Sequence, residues 1–175
     1  TAIDGFGAPV RTFTLGNDGR LTMPTDGSVY LGSSRFTHAT GARNAFTGVT
    51  AGNAVSSGFE NAALGHEALL ANTIGAGNTA VGYRAMASMT ESFNSTAVGA
   101  QALANATSAG NIALGSFAGF NITTGANNIA IGSPGVAGDA DTTRLGGGQS
   151  RAFIAGVRGV TTGANDAVAV MVDSQ

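Results

Sequence analysis

Asn61-Ala62-Ala63-Leu64-Gly65, Asn78-Thr79-Ala80-Val81-Gly82, Asn111-Ile112-Ala113-Leu114-Gly115 and Asn128-Ile129-Ala130-Ile131-Gly132 repeat one pattern, Asn-x-Ala-(Leu/Val/Ile)-Gly. Two degenerate copies fall in phase with it, Asn44-Ala45-Phe46-Thr47-Gly48 and Ser95-Thr96-Ala97-Val98-Gly99. The closing glycines, Gly48, Gly65, Gly82, Gly99, Gly115 and Gly132, recur every 17 residues apart from one interval of 16. An earlier copy, Val29-Tyr30-Leu31-Gly32, sits 16 residues before Gly48. A fixed beat of this kind marks a stacked repeat architecture.

Other columns keep the beat. Three residues after the glycine stand Ala51, Ala68, Ala85, Ala102 and Ala118, and the next column holds Leu69, Met86 and Leu103. Thr73, Thr90, Thr107 and Thr123 form a threonine column, and Gly58, Gly75 and Gly125 a second glycine column that reads as a turn. Seventeen residues are too few for a helix pair, and Gly, Asn and Thr are poor helix formers. The unit is one β-coil of a parallel β-roll or β-solenoid, and the chain is all-β. Each x-Ala-Val-Gly stretch is a short strand whose side chains alternate between two faces.

One face carries Thr79 with Val81, Ile112 with Leu114, and Ile129 with Ile131; the other carries only Ala and Gly. The aliphatic face is expected to form the core inside the coil, and the Ala/Gly face to admit close approach of another backbone. With nine Phe and no Trp, a single roll has few large side chains to bury. A core shared with copies of itself is therefore expected, hence a homo-oligomer. Seven coils over residues 28–132, at ~4.8 Å each, make a rod roughly 34 Å tall.

Composition narrows the function classes. Charged residues are 10% of the chain, against a usual ~25%. The 43% hydrophobic content and net charge of −2 nevertheless argue for a folded chain rather than a disordered one. All eight basic residues are Arg, scattered from Arg11 to Arg158, so no basic stripe follows a nucleic-acid backbone. Without Cys there is neither a disulfide framework nor a thiolate metal site. No apolar run is long enough to span a bilayer, so no membrane insertion is expected within this segment. Thr1 reads as an internal start, with any targeting signal lying elsewhere.

The flanks are expected to be short β segments. Residues 1–27 form a connector, in which Thr12–Leu15 and Arg20–Met23 make a hairpin around Gly16-Asn17-Asp18-Gly19. Residues 133–175 form a C-terminal segment, with a Gly-rich junction up to Gly148 and strand-like runs at 151–160 and 167–172.

Catalytic constellations are sparse, and no cofactor or metal site is expected. His66-Glu67 is the best acid/base pair, but adjacent strand residues face opposite ways. Glu67 and Arg84 share a column in successive coils, which predicts a surface ion pair, and His66 and Tyr83 should stack beside it. Glu60 with Glu67 is the candidate carboxylate pair for a glycan-cleaving tailspike. Asp139 and Asp141 could hold a cation but read better as a solvated turn. Gly146-Gly147-Gly148 lacks the Lys and helix of a phosphate loop. Phe59, Phe93, Phe117 and Phe120 lie outside the core columns, as candidates either for stacking on sugars or for plugging an oligomer core. An ice-binding solenoid would need a flat Thr-x-Thr ladder, and only one threonine column exists.

The repeated Asn-Thr-Ala-Val-Gly and Asn-Ile-Ala-Leu-Gly units over residues 44–132 resemble the YadA-like head repeat of trimeric autotransporter adhesins. Leu15–Pro24 and Arg151–Thr162 resemble segments of phage tail-fibre-like proteins that carry an endosialidase-type intramolecular chaperone. The resemblance implies a left-handed, homotrimeric β-roll in an extracellular fibre on a bacterial cell surface, a virion or an injection device. It also implies adhesion, through a cell-surface glycan or protein. The period of 17 exceeds that family's simplest coil, and the extra residues are expected as a protruding loop.

Overall fold

The computed structural model describes residues 43–54 and 57–151, and before them the backbone of four strands: β1 (Thr14–Leu15), β2 (Leu21–Thr22), β3 (Val29–Leu31) and β4 (Ser34–His38). The strand-like runs expected at 152–160 and 167–172 lie outside the described residues. β1 and β2 pair antiparallel, Thr14 opposite Thr22 and Leu15 opposite Leu21.

Seven strands follow: β5 (Ala45–Thr47), β6 (Ala62–Leu64), β7 (Thr79–Val81), β8 (Thr96–Val98), β9 (Ile112–Leu114), β10 (Ile129–Ile131) and β11 (Thr143–Leu145). Each pairs with the next in parallel, and the repeat columns face one another: Ala63 with Ala80, Ala80 with Ala97, Ala97 with Ala113, Ala113 with Ala130. The chain is thus a parallel β-solenoid of about six turns, all-β among the described residues. Equal spacing in sequence brings the residues of a column to the same position in successive coils, one above the next.

Two boundaries move. The Val29-Tyr30-Leu31 copy is not a coil, because β3 pairs antiparallel with β4, and β4 antiparallel with β5. The seventh parallel strand is instead β11, inside the stretch expected to be a junction. The parallel run therefore spans 45–145 rather than 28–132. Among the described residues, the part of the coil expected as a protruding loop is stacked in register. Beyond the strands the backbone ladder continues, with Leu69 N donating to Ala85 O (3.0 Å), Ala71 N to Ala87 O (3.2 Å) and Thr73 N to Thr90 O (2.8 Å).

The two strand faces are opposite to expectation. The central Ala of each strand points inward and is buried, as in Ala80 and Ala97 at 0% exposure, whereas Leu64, Ile112, Leu114 and Ile131 point out. The interior is narrow. Strand alanines share it with Ala51, Ala68, Ala85, Ala102 and Ala118, and with Leu69, Met86, Leu103, Met89 and Ile122. The backbone that the Ala stripe admits is thus the far wall of its own coil.

Two columns set the coil corners. A Cβ on Gly65 or Gly82 would sit 2.5 Å from the next coil's glycine carbonyl oxygen, and both residues adopt φ near 135°, so only glycine fits. The glycine of the second column is needed for close stacking rather than for a turn: a Cβ on Gly75 would lie 3.1 Å from Ser92 N.

The asparagine column, which marks the repeat, is an internal ladder. Asn61 Nδ2 donates to Gly75 O across its own coil (2.7 Å), while Asn61 Oδ1 accepts from Asn78 N in the next (3.1 Å). Asn44, Asn111 and Asn128 do the same toward Gly58, Gly125 and Asp139 carbonyls. These groups are buried, so the carboxamides satisfy backbone atoms that water cannot reach.

Where Ser95 replaces Asn, Ser92 replaces the glycine. Their hydroxyls meet at 3.2 Å, and Ser92 Oγ donates to Ser108 O (3.2 Å), so two serines span what one carboxamide spans elsewhere. Ser95 Oγ then accepts from Asn111 N (3.2 Å), which continues the ladder.

Candidate functional site

Three outer surfaces carry the candidates: the sheet face, the corner after the repeat glycine, and the corner before the asparagine.

Along the sheet face Leu64, Val81, Val98, Leu114, Ile131 and Leu145 form one row and Ala62, Thr79, Thr96, Ile112, Ile129 and Thr143 a second. Leu64 is 53% exposed, Leu114 50% and Leu145 66%. Where Ala45 and Ala62 stand in place of larger residues, a shallow apolar depression of about 240 Å³ opens, lined also by Thr47, Leu64 and Val81. An ordered aliphatic sheet of this extent, without charge, is the kind of surface that marks a contact.

At the corner after the glycine, the columns give the expected pairs. Glu67 Oε2 lies 3.2 Å from Arg84 Nε, and the His66 and Tyr83 rings stack at 5.7 Å with 24° between planes. His66 and Glu67 do not face opposite ways, however. They follow strand β6, and Glu67 takes a left-handed φ of 58°, which brings His66 Nδ1 to 3.9 Å from Glu67 Oε1.

Glu60 precedes β6 and pairs with Arg43 (2.7 Å), whereas Glu67 follows the strand and pairs with Arg84. The two carboxylates proposed as a glycosidase pair thus sit at opposite ends of one strand, each facing an arginine.

The four phenylalanines lie outside the coil interior. Phe59 and Phe93 occupy one column before the asparagine corner, two coils apart with Ala76 between them, and are 43% and 42% exposed. Phe117 is 46% exposed and meets half-buried Phe120 edge to face at 5.5 Å.

Asp139 is not in a solvated turn. Its side chain is 7% exposed, and Arg144 grips it through Nε and Nη2 (2.5 and 2.6 Å), with Val136 N adding a third bond (2.8 Å). The Arg144 hydrogen bond holds the Asp139 carboxyl below its ordinary range despite opposing desolvation. Asp141 accepts from Asn127 Nδ2 (3.0 Å). Both carboxylates thus have protein partners, and no group of three or more His, Asp or Glu gathers as metal ligands among the described residues.

Thr73 and Thr107 turn their hydroxyls to the next coil's carbonyls (3.1 Å each), so that column is occupied with the stack itself. Among the described residues no helix is long and apolar enough to cross a membrane.

The class that this architecture defines is the parallel β-solenoid with an outward aliphatic sheet. Neither protein-family models, curated proteins nor solved structures contain a match to the chain.

Proposed function

We propose that the chain is a non-catalytic structural and adhesive segment of a homotrimeric fibre, extracellular, on a bacterial cell surface or a virion tail. It presents repeated surfaces for recognition of a host or target cell. The observation that carries this reading is the outward aliphatic sheet. Sequence periodicity forces the same apolar side chains to the same place in successive coils, and the interior is too rich in alanine to supply much hydrophobic stabilisation by itself. Association of three chains through that sheet removes it from water and completes the core. Fibre and location follow from the resemblance of the repeat and flanks to adhesin heads and tail fibres. Weak contacts made by each chain to a cell-surface glycan or protein then add through multivalency.

Light scattering on the folded full chain tests the assembly: a mass of three chains is expected, and a stable monomer would sink it. A glycan array and whole-cell binding test the adhesive half. Silence in both leaves only a spacer.

A further inference from the structure

His66 and Tyr83 begin an aromatic ladder that stops one rung short. Their rings stack face to face, and Tyr83 remains 47% exposed. The next residue in the column is Ala100, and after it Ser116. The backbone beneath continues without a break, Gln101 N donating to Tyr83 O (2.7 Å) and Phe117 N to Ala100 O (2.8 Å). The rung above Tyr83 therefore has a floor and no ring.

We infer that the free face of Tyr83 above Ala100 is a binding shelf for one neutral hexopyranose ring, an assignment that rests on the adhesive reading and gives it a site. Rungs ~4.8 Å apart place a ring seated over Ala100 at stacking distance from Tyr83. The apolar C–H face of a pyranose carries partial positive charge and suits the negative face of an aromatic ring.

Its hydroxyls need polar neighbours at the edge, and the adjoining column supplies them. Gln101, whose carboxamide both donates and accepts, belongs to the same coil as Ala100, and the Ser116 hydroxyl lies against Ala100 O (3.4 Å). Phe117, 46% exposed, stands in the column of Gln101 one coil on. A charged sugar is disfavoured, because the nearby cation, Arg84, is already paired with Glu67. Among neutral hexopyranoses a β-galactoside offers the widest apolar face for such stacking, because its axial 4-hydroxyl leaves the C–H groups at positions 3, 4 and 5 on one uninterrupted face.

The test is a titration of the ¹⁵N-labelled full chain with lactose, read by amide chemical shifts. Shifts are expected at Ala100 and Gln101. Tyr83→Ala should weaken binding at least tenfold. Ala100→Tyr should do the same by filling the rung, while it extends the ladder and so leaves fold and mass unchanged. Ile74→Ala, at an exposed side chain outside the shelf, should bind as the unaltered chain does. Absence of lactose binding, shifts confined elsewhere, or full binding by Ala100→Tyr overturns the shelf. If lactose does not bind at Ala100 and Gln101 but the unaltered chain binds cells or other glycans, the shelf falls and the adhesive reading stands; if the unaltered chain binds no saccharide or cell, both fall.

Discussion

Asn72 is the residue at which the coil departs most from its own logic. Its column holds Met89, Ala106 and Ile122 in the following coils, all buried and apolar, yet Asn72 is itself 0% exposed and neither end of its amide finds a partner. A buried amide without hydrogen bonds forfeits its hydration and gains nothing in return. Asn72→Leu, which keeps the branched shape and is apolar like Met89 and Ile122 in the same column, should therefore raise unfolding stability by roughly 1–3 kcal/mol, read as a higher midpoint in urea. An unchanged or lower midpoint would mean that the carboxamide is satisfied in solution. The asparagines of the ladder behave differently although they are equally buried, because each of their amides bridges two coils. The residue type is the same, and only the corner position makes it structural.

At the scale of one coil, large and small residues compensate. The first coil has Phe46 where later strands have Ala, and Gly52 where later coils have Leu69 or Met86; a Cβ on Gly52 would lie 2.7 Å from the Phe46 ring. Phe46→Ala alone should cost about 3–5 kcal/mol in a denaturant titration, and adding Gly52→Leu, which refills the space from the other wall, should recover most of it. Failure of the double variant to recover would show that the two positions do not share one cavity. The last coil is closed by charge instead. The carboxyl of Asp139 is held below its ordinary value by Arg144, so its contribution is present above the unfolded carboxylate range near pH ~4 and is lost as pH falls through the lower folded value. Amide shifts of Val136 and Arg144 should accordingly change only below pH ~4, and Asp139→Asn should abolish that transition. These compensations explain what the sequence could and could not disclose. Period, strand positions and the Glu67–Arg84 and His66–Tyr83 pairs were legible, because parallel stacking turns equal spacing into contact. Which strand face lies inside was not legible, since alternation separates two faces without ranking them. Side-chain size pointed the wrong way: where the rest of the coil brings Leu69, Met86 or Leu103 into the interior, the inward strand position is left to Ala. The Asp139 partner was hidden for a related reason, because a short final coil of different sequence carries no column to read.

For the whole molecule, the inversion of the faces changes what the proposed assembly would accomplish. Had the aliphatic residues filled each coil, a single chain would possess its own core; instead Leu64, Leu114, Ile131 and Leu145 stand in water on a lone chain. Burying one such side chain is worth roughly 1.5–3 kcal/mol, and the same term recurs coil after coil along the row. In the proposed trimer, a carboxylate placed in the middle of the row would face its symmetry mates across the interface, where desolvation and like-charge repulsion act together. Val81→Asp combined with Leu114→Asp should therefore lower the mass seen by light scattering to that of one chain. The thermal midpoint should fall as well, because the narrow interior of Ala, Asn and a few larger residues would be left without the burial of the outer row. The same exchange at exposed Thr90 and Ser88, away from the sheet, should leave the mass unaltered. If the sheet-face variant keeps the mass and midpoint of the unaltered chain, the aliphatic row does not join the copies, and the trimeric reading loses the surface on which it depends.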